Sequence, residues 1–502
     1  MLSRRYALAA LLFAAWLSPA LLPSSSPLDL GLRQACGCGG GTSTTNTNAA
    51  GAQAGIMISP GMVLDAASLR IDESGTASTT RATDPTGKLT RDRLQQAKAA
   101  LNADIAKPSQ IRKVSLTRLE RAVQGQLERN RKPTDEMLRL AGLTRIRYVF
   151  FYPDSGDVVV AGPAEGWFQD LTGRFIGMVS SRPILELQDL VVALRAFAPG
   201  KDRDGVVGCS IDPTQEGLAK MQAFTREVAN TIMKRQLAAN ELSSDDVNSI
   251  VDGIHNSLGL QKVSILGVSP ETHFAQVMLE ADYRMKLIGI GAEHSGLAKL
   301  KSYAELADAS QIGRNALQRW WFVPDYKCVR VSDDHLAMEL EGEGVKLVGE
   351  DEVVGPNGQR MAQGKSGRAS QMFTHAFTQR YPELARRKPI YAQLRNLIDM
   401  VIAAAHIQRE DYFGKAGWNL EVFGDESLFP VQVYKAPTEV DTVVTSIWKK
   451  QQLVTPVGGG VRIEAPMALE STNVLADEGN KVEKDRQEIQ LRGLKPDQWW
   501  WD

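Results

Sequence analysis

Beyond the first 22 residues, no run of apolar side chains is long enough to cross a lipid bilayer, so the chain must bury its apolar residues within its own fold. The most apolar later stretch, residues 397–407, is interrupted by Asp399 and His406. A spanning helix needs about 20 consecutive apolar residues. The pattern therefore predicts a core helix at this position and no transmembrane helix in the mature chain.

Residues 1–22 have the composition of a secretory signal peptide. Arg4 and Arg5 form a short positive start, residues 7–17 are apolar, and small residues follow at 18–20. This order is typical of a cleaved leader, and a buried N-terminal helix is the alternative. We expect an exported protein, periplasmic or extracellular. The general secretory route and the twin-arginine route both stay open.

A flexible linker is predicted at residues 23–55, because residues 37–55 are almost entirely Gly, Ser, Thr, Asn and Ala. Cys36 follows Ala35, as in a lipid-modified leader. Arg33, however, occupies a position that is usually apolar in such leaders, so lipidation of Cys36 is only one of two alternatives.

The composition is that of an ordinary globular protein, with 43% hydrophobic and 23% charged residues. The 58 basic and 59 acidic side chains give a formal charge of −1. No charge excess attracts the chain to nucleic acid or to an anionic membrane, so we expect no nucleic-acid partner. A chain of 502 residues is too long for one ordinary core and predicts several domains.

Apolar periodicity predicts an α+β fold made of several small mixed modules, with helical hairpins, a β-α-β unit and a strand-rich C-terminal part. The predicted segments after the linker are an N-terminal α+β domain (56–204), a β-α-α-β-α-β domain (205–300), a C-terminal α+β domain (301–469) and a polar tail that ends in a tryptophan cluster (470–502).

Local signals predict individual elements within these segments. Turn residues at 153–156 between two apolar runs predict a β-hairpin at 145–160. Asp212, followed by Pro213 and Gln215, predicts the start of a helix. The predicted β-α-β unit consists of a strand at 262–268, a helix and a returning strand at 286–291. Further predictions are strands at 419–423 and 431–434, a helix at 439–449 and a glycine turn at 458–460.

Several strings of the sequence are distinctive: GCSIDPTQEGL at 208–218, THFA at 272–275, EADYRMK at 280–286, RWWFVP at 319–324 and YAQLRNL at 391–397. Together they resemble a family of exported planctomycete proteins that is catalogued as a domain of unknown function. The resemblance extends from about residue 85 to 465. It implies export from a planctomycete cell and carries no chemistry.

The sequence contains none of the short motifs that mark common catalytic or cofactor sites. It has no Gly-x-Ser-x-Gly elbow, no His-Glu-x-x-His helix, no Gly-x-x-x-x-Gly-Lys-Ser/Thr phosphate loop and no four-cysteine zinc spacing. We therefore expect no cofactor and no metal.

The remaining candidates for catalysis are His273, Glu280, Asp282 and His294, which cluster around the predicted β-α-β unit. His273 and Glu280 are seven residues apart and share a helix face. A carboxylate beside an imidazole can orient it and tune its acidity, so an acid/base pair is one interpretation. A helix-terminal histidine among solvated charges is the other.

The candidates for binding are tryptophans. Trp320 and Trp321 lie in a predicted strand and can line a groove for a glycan or peptide, or fill a core. Trp499, Trp500 and Trp501 end a polar tail, and three exposed indoles are unfavourable in water. We expect them to dock on this protein, on a partner or at a membrane interface.

Two cysteines of the body, Cys209 and Cys328, also have alternative roles. They can pair in an oxidising compartment or act as small buried apolar residues. Cys209 and Ser210 precede a predicted helix start, where a helix dipole lowers the pKa of a thiol and can activate it.

These observations favour a non-catalytic binding or assembly component of the cell envelope, with a protein or an envelope polymer as partner. One alternative is a hydrolase of envelope polymers that uses the histidine and carboxylate candidates. Another is a PDZ-like peptide-binding module, because residues 182–200 have the order of strand end, amphipathic helix and Pro-Gly turn found at the end of such domains.

Overall fold

The structure is a computed structural model that describes residues 66–201, 205–236, 244–307, 316–354, 357–362, 364, 366–442, 456–489, 491, 493–495 and 497–502. All of them belong to one compact unit, Ile56–Asp502. The predicted signal peptide, the linker and the possible lipidation site at Cys36 lie outside the described residues.

The larger sheet has nine strands, here numbered in chain order. They are β1 (Ala67–Ile71), β2 (Thr76–Arg81), β8 (Val207–Asp212), β9 (Gln261–Leu266), β10 (Ala316–Pro324), β13 (Val345–Val354), β14 (Arg360–Ala362), β15 (Glu439–Val440) and β16 (Val457–Ile463). Their order across the sheet is β1-β2-β15-β9-β8-β16-β10-β13-β14. The pairs β10–β16 and β2–β15 are parallel and the others are antiparallel.

A second sheet has six strands in the order β11-β12-β4-β5-β3-β17, all antiparallel. They are β3 (Ser109–Ser115), β4 (Tyr148–Tyr152), β5 (Asp157–Ala164), β11 (Val329–Val331), β12 (Ala337–Leu340) and β17 (Trp500–Trp501). A separate hairpin pairs β6 (Trp167–Gln169) with β7 (Phe175–Gly177). The hairpin predicted at 145–160 is confirmed as β4 and β5.

Fourteen α-helices lie within the described residues, together with one 3-10 turn at Leu140–Gly142. They are α1 (Lys88–Ala100), α2 (Ala103–Ala106), α3 (Leu116–Glu128), α4 (Asp135–Leu138), α5 (Leu187–Ala196), α6 (Gln215–Gln236), α7 (Ser244–Leu258), α8 (His273–Gly289), α9 (Tyr303–Leu306), α10 (Arg368–Arg387), α11 (Pro389–Arg409), α12 (Tyr412–Ala416), α13 (Ala465–Ala468) and α14 (Lys481–Glu488).

Helix α11 lies at the centre of the main core, because every residue from Pro389 to Gln408 is buried. It packs against α5, α8, α10 and α13, and α8 packs on strands β8 and β16 of the larger sheet. A helix that is apolar on most of its circumference is expected in such an interior position. The predicted core helix at 397–407 is therefore confirmed. In the described part of the chain, no helix combines the length and apolarity needed to cross a membrane.

Polar side chains on α11 have partners on other elements. Asp399 accepts a hydrogen bond from Nε of Arg145 at 2.7 Å, and Asn396 donates one to the carbonyl oxygen of Thr144 at 3.1 Å. A buried polar group that loses its partner costs about 1–3 kcal/mol. These contacts therefore resist rotation of α11 about its axis.

The predicted α+β class is confirmed, but the nine-stranded sheet draws strands from all three predicted domain segments. The boundaries predicted at 204/205 and 300/301 consequently fall inside one compact unit. The strands of the predicted strand-rich C-terminal part also divide between two sheets, with β10 and β13 in the larger sheet and β11 and β12 in the smaller one.

The predicted returning strand at 286–291 is wrong, because helix α8 continues to Gly289. Lys286 lies one turn after Asp282, and its ammonium contacts that carboxylate at 2.8 Å. A short apolar run fits a buried helix as well as a buried strand, and here α8 is buried on nearly all sides. The predicted β-α-β unit is therefore a strand followed by a long helix.

Two predicted strands near residue 420 are also wrong. The buried carboxylate of Glu120 accepts hydrogen bonds from the backbone N–H groups of Val422 and Phe423 and from the indole of Trp418. A side chain thus binds backbone groups that a neighbouring strand would otherwise bind, and residues 421–424 form turns. Residues 431–434 have no strand partner among the described residues.

Three further local predictions need correction. Strand β8 continues through Asp212, and it is the hydroxyl of Thr214 that caps α6 by accepting from the N–H of Gly217 at 3.0 Å. The predicted glycine turn at 458–460 lies inside strand β16. The helix predicted at 439–449 begins instead with strand β15, and residues 443–450 lie outside the described residues.

The tail docks on the body. Trp500 and Trp501 pair with β3 as the edge strand β17, and Trp499 and Trp501 are buried. Helix α14 covers the outer face of the six-stranded sheet, where Val482 joins a small apolar cluster with Trp501. The sequence left three docking sites open for these tryptophans: this protein, a partner or a membrane interface. In the structure they dock on this protein.

A histidine in the core predicts acid sensitivity of folding. His406 donates from Nε2 to the hydroxyl of Tyr412, which itself donates to the carbonyl oxygen of His335. Burial, helped by the charge of Arg409, lowers the pKa of His406 from 6.5 to about 3. The neutral imidazole thus contributes stability above pH 6.5, and this contribution is lost as the pH falls toward 3.

The free energy of unfolding is expected to fall by on the order of 4 kcal/mol between pH 6.5 and pH 3. His406→Gln should lower stability at pH 7 but flatten its dependence on pH, as measured by urea unfolding from pH 7 to pH 4. His375→Gln, on the exposed face of α10, is the matched control. An unchanged slope in the His406 variant would contradict the assignment.

Candidate functional site

A cleft of about 540 Å3 opens where α5, α8 and the β6–β7 hairpin meet the segment 429–434. We call it the His273 cleft. The residues that line it are Ser68, Leu69, Leu138, Arg139, Gln169, Thr172, Gly173, Arg174, Phe175, Glu186, Gln188, His273, Gln276, Val277, Glu280, Gln393, Phe429, Pro430, Val431, Gln432 and Tyr434.

His273 and Asp189 form a hydrogen-bonded pair at the side of this cleft. The hydroxyl of Thr272 caps α8, so that His273 is the first residue of the helix. Asp189 lies in the first turn of α5 and is only 4% exposed. Nδ1 of His273 is 2.9 Å from one carboxylate oxygen of Asp189 and 3.1 Å from the other. Two helix starts thus bring together an imidazole and a carboxylate that are 84 residues apart in sequence.

The pair retains a proton across neutral pH. Burial on its own would lower the pKa of His273, but the charges of Asp189 and Glu186 outweigh it and raise this pKa to about 9. Burial raises the pKa of Asp189, against the opposing charge of His273. The two groups therefore share one proton, and we place it on the imidazole because Glu186 adds a second negative charge beside it.

The other ring nitrogen of His273 is free to meet a ligand. Within the described residues Nε2 makes no hydrogen bond, and the side chain is 16% exposed, at the wall of the cleft. The ring of Tyr434 lies 5.8 Å away, centroid to centroid. Because Asp189 holds Nδ1 in its protonated form, the imidazolium presents Nε2–H to the cleft as a hydrogen-bond donor.

Glu280 lies in the same cleft, as its helical spacing from His273 predicts, but its charge is already neutralised. One oxygen accepts from Arg174 at 2.5 Å and from Arg284 at 3.3 Å. The other accepts from the backbone N–H of Leu69 at 3.1 Å. Both oxygens of this carboxylate therefore already have partners within the protein.

Arg139 and Glu186 form a second neutral pair in the wall. Nη1 of Arg139 is 3.0 Å from Glu186, and Gln188 donates to the same carboxylate oxygen at 2.8 Å. The guanidinium of Arg139 also lies 3.5 Å from the ring centre of Phe175. These contacts fix the wall and leave the net charge of the cleft small.

The other two histidine and carboxylate candidates lie elsewhere. Asp282 points to the sheet side of α8, where Lys286 contacts it and burial raises the pKa of its carboxyl to about 6. His294 is exposed in the loop after α8 and lines a different, more open depression. The structure thus brings His273 and Glu280 together and separates Asp282 and His294 from them.

The tryptophan candidates do not form one groove. Trp320 is fully buried, and its indole donates to Ser370 at 2.8 Å. Trp321 is half-buried under the guanidinium of Arg319, 4.6 Å from its ring centre. These two lie in the larger sheet, whereas Trp499, Trp500 and Trp501 pack at the edge of the smaller one.

Cys209 and Cys328 are both buried free thiols, so they do not pair with each other. Burial raises the pKa of the Cys209 thiol, with the charge of Asp282 adding to the effect. A thiol of this kind is unreactive. The activated-nucleophile hypothesis for Cys209 is therefore wrong.

The PDZ-like alternative requires a groove beside the helix at 187–197. That helix is confirmed as α5, but it packs against helices α11, α8 and α4. Six of its seven residues from Leu187 to Ala193 are buried. No open strand edge lies beside it in the described part of the chain, so the PDZ-like alternative loses its basis.

No motif in the sequence marks Asp189 or Arg174, which contribute to the cleft. One signal was present, since Asp189 is the only acid in the first turn of α5, whose residues are mostly apolar. An acid in that setting calls for a buried partner. Its partner His273 could not be identified without the tertiary contact between α5 and α8. Among the described residues, no group of three or more His, Cys, Asp or Glu side chains is arranged to hold a metal ion.

One comparison with known proteins gave a match to part of this region. Residues 209–303 match a domain described as a protein of unknown function (DUF1598), which includes β8, α6, α7, β9 and α8 with His273. The match is shorter than the stretch over which the sequence strings suggested a resemblance. Neither the curated proteins nor the solved structures gave a significant match to the chain.

Proposed function

We propose that this protein is an exported envelope component, of planctomycete type, that binds a polar ligand in the His273 cleft without altering it chemically. One observation supports this most directly. His273 lines the cleft with no hydrogen bond at Nε2 among the described residues, while the carboxylates and guanidinium groups of the wall already neutralise one another. Such a wall is rigid before a ligand arrives, which lowers the entropic cost of binding.

Binding is favoured over general-base catalysis because of the protonation state of His273. A general base must be free of its proton near the working pH, and the pKa of about 9 keeps the imidazole of His273 protonated there. The ligand is accordingly expected to carry a hydrogen-bond acceptor, such as a carboxylate, a phosphate or a sugar hydroxyl oxygen. Fragments of envelope polymers and peptides have groups of this kind.

Export and the envelope location rest on the sequence of residues 1–55. The leader-like residues 1–22 and the linker at 23–55 are typical of a protein that is carried across a membrane and held at a distance from it. The partner in this proposal is an envelope polymer or an envelope protein. Light scattering of the native protein from envelope fractions, with identification of co-purifying material, tests this part.

The binding proposal predicts the effect of replacing His273. His273→Asn should weaken binding of envelope-polymer fragments about 10- to 100-fold, because one hydrogen bond from a charged donor is lost. For the native protein, binding should also weaken as the pH rises through about 9, since Nε2 then becomes an acceptor. Isothermal titration with a panel of acidic peptide and glycan fragments measures both effects.

His294→Asn is the matched control, because this exposed histidine lies outside the cleft. It should leave binding unchanged. Equal affinity of the His273 variant and the native protein for every fragment bound would overturn the proposed site.

A hydrolase remains the second candidate, and the His273–Asp189 hydrogen bond is the observation that favours it. The hydroxyl of Ser68 lines the same cleft, although it makes no hydrogen bond to His273. If a fragment were cleaved by the native protein but not by His273→Asn or Ser68→Ala, the hydrolase would replace the binding proposal.

A further inference from the structure

A second pocket, of about 460 Å3, lies between the outer face of the six-stranded sheet and helix α14. Its floor follows from the strand register. Lys113 on β3 is opposite Trp501 on one side and Ala161 on the other, and Ala161 is in turn opposite Tyr148. The four side chains therefore project from the same face in one row. Three of these side chains, Lys113, Tyr148 and Trp501, line the pocket. We call it the Lys113 pocket.

The ammonium group of Lys113 interacts electrostatically with Asp502 but has no hydrogen-bond partner within the described residues. Its side chain is only 8% exposed, and Nζ forms neither a hydrogen bond nor an ion pair there. Burial lowers the pKa of Lys113, against the opposing charge of Asp502. Asp502 lines the same pocket, and its two oxygens accept from Nε and Nη2 of Arg112 at 2.8 and 2.9 Å.

The opposite wall of the Lys113 pocket is acidic. Asp485 and Glu488 project from α14, and neither forms an ion pair within the described residues. Asp485 accepts a hydrogen bond from the hydroxyl of Tyr148, and Glu488 is exposed. Burial raises the pKa of Asp485, and the negative charges of Glu339 and Glu488 add to this effect against the charge of Lys481. A cation placed between Asp485 and Glu488 would relieve this repulsion.

A cation on one wall and two carboxylates on the other line one pocket without touching each other. A ligand that carries both a negative and a positive group can pair with both walls through charge-assisted hydrogen bonds. The rest of the lining is mostly apolar, with Ile111, Ile489 and the rings of Tyr148 and Trp501 beside the carboxylate of Asp502. A fitting occupant thus carries an anion, a cation and an apolar body.

We propose that the Lys113 pocket binds a free α-amino acid with an apolar or aromatic side chain. Its carboxylate pairs with Lys113, its ammonium group lies against Asp485 and Glu488, and its side chain packs on Trp501. The volume is within the range of small-molecule sites. This inference is independent of the function proposed for the His273 cleft, which lies among other elements.

Isothermal titration of the full chain with phenylalanine and with two blocked analogues tests the proposal. Phenylalaninamide lacks the carboxylate and N-acetylphenylalanine lacks the ammonium group. Free phenylalanine should bind at least tenfold more tightly than either analogue. Binding of the analogues as tight as that of phenylalanine would overturn the inference, as would the absence of binding by phenylalanine, leucine and tryptophan up to about 10 mM.

Variants locate the site. Lys113→Met keeps the aliphatic stem without the charge and should reduce phenylalanine affinity at least tenfold. Lys98→Met, on the exposed face of α1, should leave it unchanged. A loss of affinity in His273→Asn together with none in Lys113→Met would place the amino acid in the other cleft and overturn this assignment.

Discussion

Gly460→Ala is expected to destabilise the protein by at least about 3 kcal/mol, because the new methyl group has no room. A Cβ at Gly460 would lie 1.8 Å from the carbonyl oxygen of Cys209 and 2.8 Å from Cα of Ser210. Both atoms belong to the backbone of β8, which pairs with β16 at this position. Neither can move without separating two central strands of the nine-stranded sheet.

Thermal or urea unfolding followed by circular dichroism measures this effect. Gly125→Ala is the matched control, because Gly125 lies in α3 and a Cβ there would only approach the guanidinium of Arg129 at 4.0 Å. Replacing a helical glycine by alanine is expected to stabilise by up to about 1 kcal/mol. Equal stability of the Gly460 variant and the native protein would show that β8 and β16 are not this close.

Arg112→Lys is expected to release the C-terminal strand and to cost about 3–5 kcal/mol. Arg112 is fully buried and binds both carboxylate oxygens of Asp502. Its guanidinium also donates to the carbonyl oxygens of Ile105 and Ala141 and lies 4.8 Å from the ring centre of Trp500. A lysine ammonium cannot supply this planar set of donors.

Hydrogen exchange of residues 499–502 and the tryptophan emission maximum report on the release directly. Both should change toward solvent exposure in Arg112→Lys. They should not change in Arg129→Lys, where the side chain is exposed at the end of α3. Asp502→Asn separates the parts of the effect, since it removes the charge partner but keeps the carbonyl contacts. Unchanged exchange in Arg112→Lys would show that the indoles alone hold the tail.

Much of the local structure could be predicted because it depends on neighbours in sequence. The turn at 153–156 specifies the hairpin β4–β5, Ser115 and Thr134 cap the helices that follow them, and the apolar pattern of 389–408 predicts α11. The spacing of His273 and Glu280 likewise placed both on one face of α8.

The remaining features depend on contacts that are distant in sequence. Residues 419–423 have the apolar pattern of a strand. The backbone N–H groups of Val422 and Phe423 donate instead to the carboxylate of Glu120, some 300 residues earlier, so this segment does not join a sheet. The glycines at 458–460 have the composition of a turn, and only the closeness of Trp320 and Cys209 explains why a central strand requires them. Asp189 could be recognised as a site residue only from the structure, because its hydrogen bond to His273 depends on the packing of α5 beside α8.

The buried position of α11 has a consequence for the accuracy of the His273 cleft. Gln393 reaches the cleft from this helix and accepts from Nε of Arg174 at 2.7 Å, and Arg174 in turn holds Glu280. The same helix is prevented from turning by Asp399 and its contact with Arg145. The positions of Arg174 and Glu280 in the cleft are therefore determined by α11, whose residues from Pro389 to Gln408 are all buried. Sequence drift in the surrounding loops can alter which ligands enter while leaving the arrangement of the charged wall intact.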